Sequence, residues 1–328
     1  MKYALGVDFS IIVETHTFEE GGDWDRLQAA LRAATAILPV DGSGELLVAD
    51  ACGVPELQEL LIRKFPHARR IAAVDIDYDG AKAAAAHAAS GRYLLFLDGD
   101  CLPQPEWQPR LLEPLRRGEA IACGGFTRYE GGFLAAAMSV MDFGFFYPLI
   151  KRPLTCYASN NCAFLRSALV DDVPYPGGHL RCRCFYHAQQ LLRRGTPMML
   201  VPEARVLHEM QPIIRERSRQ GYDVIAACRT DRELPQARWL RFGLLSLPLF
   251  YLQQVWYDCK RGWLSRRELN FSSLQIAAAF VLFPVLRLID AGGMLRALIY
   301  GTAEGGWGGW ALRSRRAEWQ LEAPGAPK

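Results

Sequence analysis

Asp98 and Asp100 stand two residues apart at the end of "RYLLFLDGD" (residues 92–100), an apolar run that closes on carboxylates. On an extended chain, side chains two apart leave on the same side, and Gly99 between them lets a ligand approach the backbone. Two converging carboxylates are hard oxygen donors, suited to Mg²⁺ or Mn²⁺ carrying a diphosphate. A bare D-G-D is more often a polar turn. What favours the metal is position, because this run is the fourth in a series.

The other three are "DFSIIVE" (8–14), "GELLVAD" (44–50) and "RRIAAVDID" (69–77), each short, apolar and closed near an acidic residue. They read as strands buried on both faces. Between them, "DWDRLQAALRAATAIL" (23–38), "VPELQELLIRKF" (54–65) and "DGAKAAAAHAASG" (79–91) carry helical apolar spacing, with Asp or Pro near their starts. Alternating β and α predicts an α/β fold with a doubly wound, mostly parallel sheet and helices on both faces, whose ligands lie beyond the carboxyl ends of the strands. Residues 1–118 form the expected nucleotide half. Residues 119–236, looser and richer in glycine and aromatics, form an acceptor half with a helix over 186–195 and a strand over 197–209.

"DIDYDG" (75–80) has the opening of a calcium loop, but its twelfth position, where a bidentate Glu is needed, is Ala86 inside an alanine run. Calcium is excluded. Asp77 or Asp79 instead caps a helix, and Lys82 in the first turn is placed to meet a phosphate.

The 328 residues are 50% hydrophobic, enough for a sizeable core. Charge is uneven: residues 1–200 hold 20 Lys and Arg against 23 Asp and Glu, residues 201–328 hold 18 against 12. A basic final third beside the apolar runs 240–257 and 274–300 points to an anionic surface. Arg241, Gln253, Gln254, Arg287 and Asp290 interrupt those runs, so residues 237–328 read as a membrane-associated helical region lying in the interface. "GGWGGW" (305–310) and "RSRR" (313–316) suit the headgroup layer. The nine cysteines are scattered without a C-x-x-C pair, which favours neither disulfides nor zinc and fits a reducing cytosol. The N-terminal apolar stretch is too short for a signal peptide. Peripheral or monotopic attachment at the cytoplasmic face is the expectation, with a soluble cytoplasmic protein as the alternative.

Over residues 8–210 the chain resembles the family 2 glycosyltransferases of the GT-A fold. "SIIVETHT" is similar to the family's first strand, matching at Thr15 and departing at Glu14, His16 and Thr17. "ELLVADACG" puts Asp50 where the family places a carboxylate for the nucleobase. "DGAKAAAAHAASGRYLLFLDGD" matches at Gly80, Lys82 and the D-x-D, and "SNNCAFLRSAL" at Asn161 and Arg166. The resemblance implies metal-dependent sugar transfer from a nucleotide-sugar donor, with His208 completing the metal shell of Asp98 and Asp100. Inverting members carry a Glu-Asp pair, the Asp a general base, twelve and eleven residues before the glycine that is Gly195 here. Those positions hold Arg183 and Cys184. His187, one helical turn on, has the intrinsic pKa of a base. A retaining mechanism, in which the leaving phosphate takes the proton, needs neither.

The candidate set is therefore Asp100 and His187 for catalysis; Glu14, Thr15, Asp50, Asp77, Lys82, Asp98 and Asn161 for substrate; and Asp98, Asp100 and His208 for Mn²⁺ or Mg²⁺. The implied partners are a nucleotide-sugar donor, a glycan or lipid-linked acceptor and a membrane surface. No nucleic acid is expected. Two alternatives stand: a non-catalytic relative that binds sugar nucleotide or membrane, and a sugar nucleotidyltransferase. The latter opens with a glycine-rich, arginine-bearing loop, where this chain reads "ETHTFEEGGDWDR".

Overall fold

The computed structural model describes residues 6–16, 18, 23–74, 76–172, 183–230, 232, 234 and 236–301. The chain divides into two units, residues 1–177 with 183–210, and residues 178–182 with 211–328.

In the first unit, β1 (Phe9–Glu14) lies between β2 (Gly44–Asp50) and β4 (Tyr93–Asp98), parallel to both, and β3 (Ala68–Ala72) extends the parallel set beyond β2. The crossovers are α1 (Trp24–Ala36), α2 (Pro55–Lys64) and α3 (Tyr78–Ala88). Their starts follow local chemistry. Asp23 accepts the Asp25 N–H at 2.8 Å, Pro55 opens α2, and Asp77 accepts the Gly80 N–H at 2.8 Å. Every residue of β1 and β4 is buried, as expected of strands covered on both faces. β3 differs: it is half-exposed, because it closes the sheet edge and the chain leaves it at Ala72, before the acidic residues expected to extend it.

The strand order β3-β2-β1-β4 reverses direction between β1 and β4. Here Glu14 and Asp98 are direct register partners at the carboxyl ends. That is the crevice of an open α/β sheet.

Beyond β4 the sheet becomes mixed. β5 (Cys101–Pro103), α4 (Trp107–Arg116), β6 (Ala122–Tyr129), α5 (Phe133–Phe143), β7 (Arg152–Pro153), β8 (Asn161–Leu165), α6 (Arg183–Arg193) and β9 (Met198–His208) follow in order. β8 runs antiparallel to β4, and β9 runs parallel to β6 and antiparallel to β5. The core under the crevice is aliphatic, with Ile11, Val13, Leu46, Val48, Leu95 and Leu97 all inaccessible. Each such side chain contributes roughly 1.5–3 kcal/mol of burial, which holds the strand ends in place.

The second unit is helical: α7 (Ile213–Thr230), 3-10 turns over Ala237–Leu245, α8 (Ser246–Ser265) and α9 (Ser273–Tyr300). Gly243, at φ 56°, breaks the apolar run that begins at residue 240, so α8 starts only at Ser246. α7 crosses α9 closely, and a Cβ at Gly221 or Gly293 would overlap the opposing carbonyl of Asp290 or Ser218. Buried Asp258 accepts from Arg287 at 2.6 and 2.9 Å, and Arg287 also bonds Asp290. α9 is long and apolar enough to cross a membrane, with a mean hydropathy of 1.8 over an 18-residue stretch. The tryptophan-rich and RSRR segments lie outside the described residues.

Candidate functional site

The carboxyl ends of β1 and β4 gather Glu14, Asp98 and Asp100 in one buried place, with Lys82 beneath them. Lys82 is fully buried, and its Nζ donates to Asp98 Oδ1 at 2.6 Å, to Tyr78 Oη at 2.5 Å and to the Ser159 carbonyl at 2.7 Å. Burial alone would lower its pKa. Asp98 and then Glu14 overrule it and hold the ammonium above the usual lysine range. Tyr78 donates to Asp98 at 2.8 and 3.0 Å; burial first, then Asp98, push the phenol well above its usual range, so it stays a donor. Lys82 was expected to meet a phosphate from the first turn of α3. Instead Asp98 draws it inward, where it neutralises the carboxylates.

Asp100 has a different neighbour. It lies 3.8 Å from His208 Nδ1, and Asp100, Cys101 and His208 bring one potential ligand atom each within 4.8 Å of one another. The β5–β9 ladder is the reason, since it pairs Cys101 with His208. His208 Nδ1 is 2.5 Å from the Glu209 carbonyl, which can only accept. Nδ1 therefore carries a hydrogen, and Nε2 is the ring nitrogen that could serve a metal. Burial, then Asp98, raise the Asp100 pKa, and His208 opposes them. Burial and both aspartates push the Cys101 thiol well above its usual range, which makes it a poor ligand beside a carboxylate and an imidazole. The donors that remain are hard or borderline and fit Mn²⁺ or Mg²⁺ better than a thiophilic metal. Arg26, on α1, ties the wall together by donating to the Asp100 carbonyl at 3.0 Å and the Leu207 carbonyl at 2.9 Å, and by pairing with Glu130 at 2.6 Å.

Glu14 is fully buried. One oxygen accepts the His16 N–H, whereas Oε2 has no hydrogen-bond partner. Burial and then Asp98 push its carboxyl well above the usual range against the pull of Lys82. A carboxylate so placed opposes folding: the native state binds a proton more tightly than the unfolded chain, so stability falls as pH climbs from about 4.3 through the raised native value. In metal-free protein, Glu14→Gln should flatten that slope and be more stable than wild type at pH 8, with the two converging near pH 4. Urea denaturation across this range measures it, and parallel profiles would refute it.

The remaining candidates take the following places in the structure. Thr15 stitches backbone: its hydroxyl donates to the Ala49 carbonyl at 3.0 Å and accepts the Ala51 N–H at 3.2 Å. Asn161 spends both ends of its amide inside the core, accepting from Trp107 at 2.7 Å and donating to the Ala204 carbonyl at 3.1 Å. Asp77 is an exposed cap. His187 is fully buried, with Nδ1 2.6 Å from Tyr157 Oη and its ring against Phe164, so it lacks the access to an acceptor that a base requires. Gly99 does not leave room for a ligand, because a Cβ there would meet Phe18, Leu27 and the Glu14 carbonyl at 2.9–3.1 Å. The metal candidate Asp98 is held by Lys82 and Tyr78 and stands outside the Asp100–His208 group. Asp50 is inaccessible, and its Oδ2 takes both the Nε and a terminal nitrogen of Arg70 at 2.6 Å.

Residues 46–173 match the family model described as Glycosyl transferase family 2. That segment, less than half of the chain, is similar to the family. The resemblance read from the sequence holds, and the family 2 segment spans β2 through β8, with Asp50, Lys82 and the D-x-D inside it. No curated protein matches the sequence. The fold is similar to that of PcManGT, a mannosyltransferase from Pyrobaculum calidifontis solved with GDP-Man and Mn²⁺, at TM-score 0.59 and 13% identity over 92% of this chain and 91% of that one. GalNAc-T7, solved with UDP, GalNAc and Mn²⁺, is a more distant match at TM-score 0.46 and 15% identity, over 63% of this chain and 44% of that one. The mixed α/β sheet is of the GT-A type.

Proposed function

We propose that the protein is a metal-dependent glycosyltransferase, of hexosyltransferase type, that moves a sugar from a nucleotide-sugar donor to a glycan or lipid-linked acceptor at a membrane surface. The observation that carries this reading is the grouping of Asp100 and His208 beside the buried Asp98–Lys82 pair, at the strand ends where the parallel order reverses. Asp100 and His208 would hold Mn²⁺ or Mg²⁺, which supplies positive charge to the departing diphosphate. Lys82 and Tyr78 orient Asp98 next to the donor. Asp50 fixes Arg70, whose half-exposed guanidinium sits at the end of β2 for the nucleotide.

Cys184 stands where the family places its base. A hydrogen bond with Cys156, then burial, push its thiol well above the usual range, so it takes no proton from an acceptor. This observation favours the second reading, a relative that binds donor without turnover. Cytoplasmic-face placement is supported by the cysteines, since the eight among the described residues form no disulfide.

A donor-hydrolysis screen over nucleotide sugars with Mn²⁺ separates the readings. Release of nucleoside diphosphate from one donor, abolished by chelation, is the expected result. Metal-dependent binding without release would favour the non-catalytic relative, and absence of binding would overturn both.

A further inference from the structure

The second unit carries two apolar stripes that face solvent. On α8, Leu249, Leu252, Trp256 and Trp263 are 39–67% exposed and fall on one face at spacings of three, four and seven. On α9, Leu274, Val281, Val285, Leu288, Leu295 and Ile299 are 38–80% exposed and repeat the same spacing. A water-facing helix surface places polar residues there, so such stripes mark contact with something apolar. At the turn joining the two helices lies a cavity of about 700 Å³ whose lining includes Trp263, Arg266, Arg267, Phe271 and Ser273. Arg266 stacks over the Trp263 ring at 4.0 Å and donates to its carbonyl at 2.5 Å, which sets the plane of the guanidinium. Arg267 is exposed and pairs with no carboxylate among the described residues, and no acidic residue lines the cavity.

Two guanidinium groups with a tryptophan between apolar faces match one chemistry, a phosphate joined to hydrocarbon. Arginine forks phosphate oxygens, tryptophan prefers the headgroup layer, and the stripes take the acyl region. Arg287 and Asp290, buried midway along α9, favour a helix lying in the interface over one crossing it. We propose that this cavity holds the phosphate of an anionic phospholipid headgroup while the stripes of α8 and α9 rest in the same leaflet. The inference rests on the reading of this unit as membrane-associated.

Flotation of the full chain with phosphatidylcholine vesicles, alone or containing phosphatidylglycerol, tests it. The expected result is preference for the anionic vesicles, reduced roughly thirtyfold at low salt by the pair Arg266→Gln and Arg267→Gln. Trp256→Ser should weaken binding to both vesicle types. These positions are at least partly exposed, and matching melting curves would show that the variants fold. Equal binding to both vesicles, unchanged in the arginine variant, would overturn the headgroup cavity and leave membrane association standing. Binding to neither would overturn both. Tight calorimetric binding of inorganic phosphate without vesicles would reassign the cavity to a soluble anion, and concentration-dependent dimerisation would reassign the stripes to a second copy.

Discussion

Asp100→Asn should abolish metal-dependent binding of a nucleoside diphosphate, weakening it by a factor of at least about 10² and lowering turnover by a similar or larger factor. An amide is a neutral, weaker ligand, and the substitution removes the carboxylate that lies 3.8 Å from His208 Nδ1. The fold should survive, because burial and Asp98 already penalise the charge of Asp100 in metal-free protein. The raised pKa adds a second observable. Mn²⁺ must displace the proton, so affinity should rise with pH through the Asp100 transition in wild type and lose that dependence in the variant. Calorimetry at three pH values reads both effects. Unchanged affinity in the variant would remove Asp100 from the site.

Lys82→Met should be the most destabilising substitution near the crevice, costing about 3–5 kcal/mol. It removes the cation that hydrogen-bonds Asp98 in the buried group holding Asp98 and Glu14, and leaves their charges uncompensated. Because the native lysine pKa is raised, its contribution is complete below the unfolded value of about 10.4 and is lost as pH rises through the native value. The deficit of the variant should therefore be constant from pH 6 to 9 and shrink only above that. Adding Asp98→Asn should recover part of the loss, as expected of coupled neighbours. Additive losses in the double variant, measured by urea denaturation, would show that the two residues do not act as a pair.

How far the sequence led depends on what each residue's role required. Asp98 and Asp100 were legible because a charge-free run must be a strand buried on both faces, and β4 is. The alternation of runs and helical spacings likewise implied the parallel order up to β4, but not the pairing of β5 with β9, which joins residues 107 apart. His208 was therefore reached only through family resemblance. Lys82 was read as a phosphate contact because its place in the first turn of α3 does not reveal that Asp98 lies underneath. Tyr78 is one helical turn before it, a spacing that signals a shared face. Arg26 and Arg70 are anchored to carbonyls and carboxylates across the fold, with no local signature. Thr15 and Asn161 lie on matching motifs, yet a motif position does not say whether a polar group faces a ligand or the backbone. The structure shows the backbone and core.

The most direct test is to crystallise the protein with Mn²⁺ and a nucleoside diphosphate and locate the metal by anomalous diffraction. A single peak coordinated by Asp100 and His208 Nε2, with the diphosphate beside Asp98, is the predicted result. A metal bound elsewhere, or a nucleotide seated away from the ends of β1 and β4, would contradict the account.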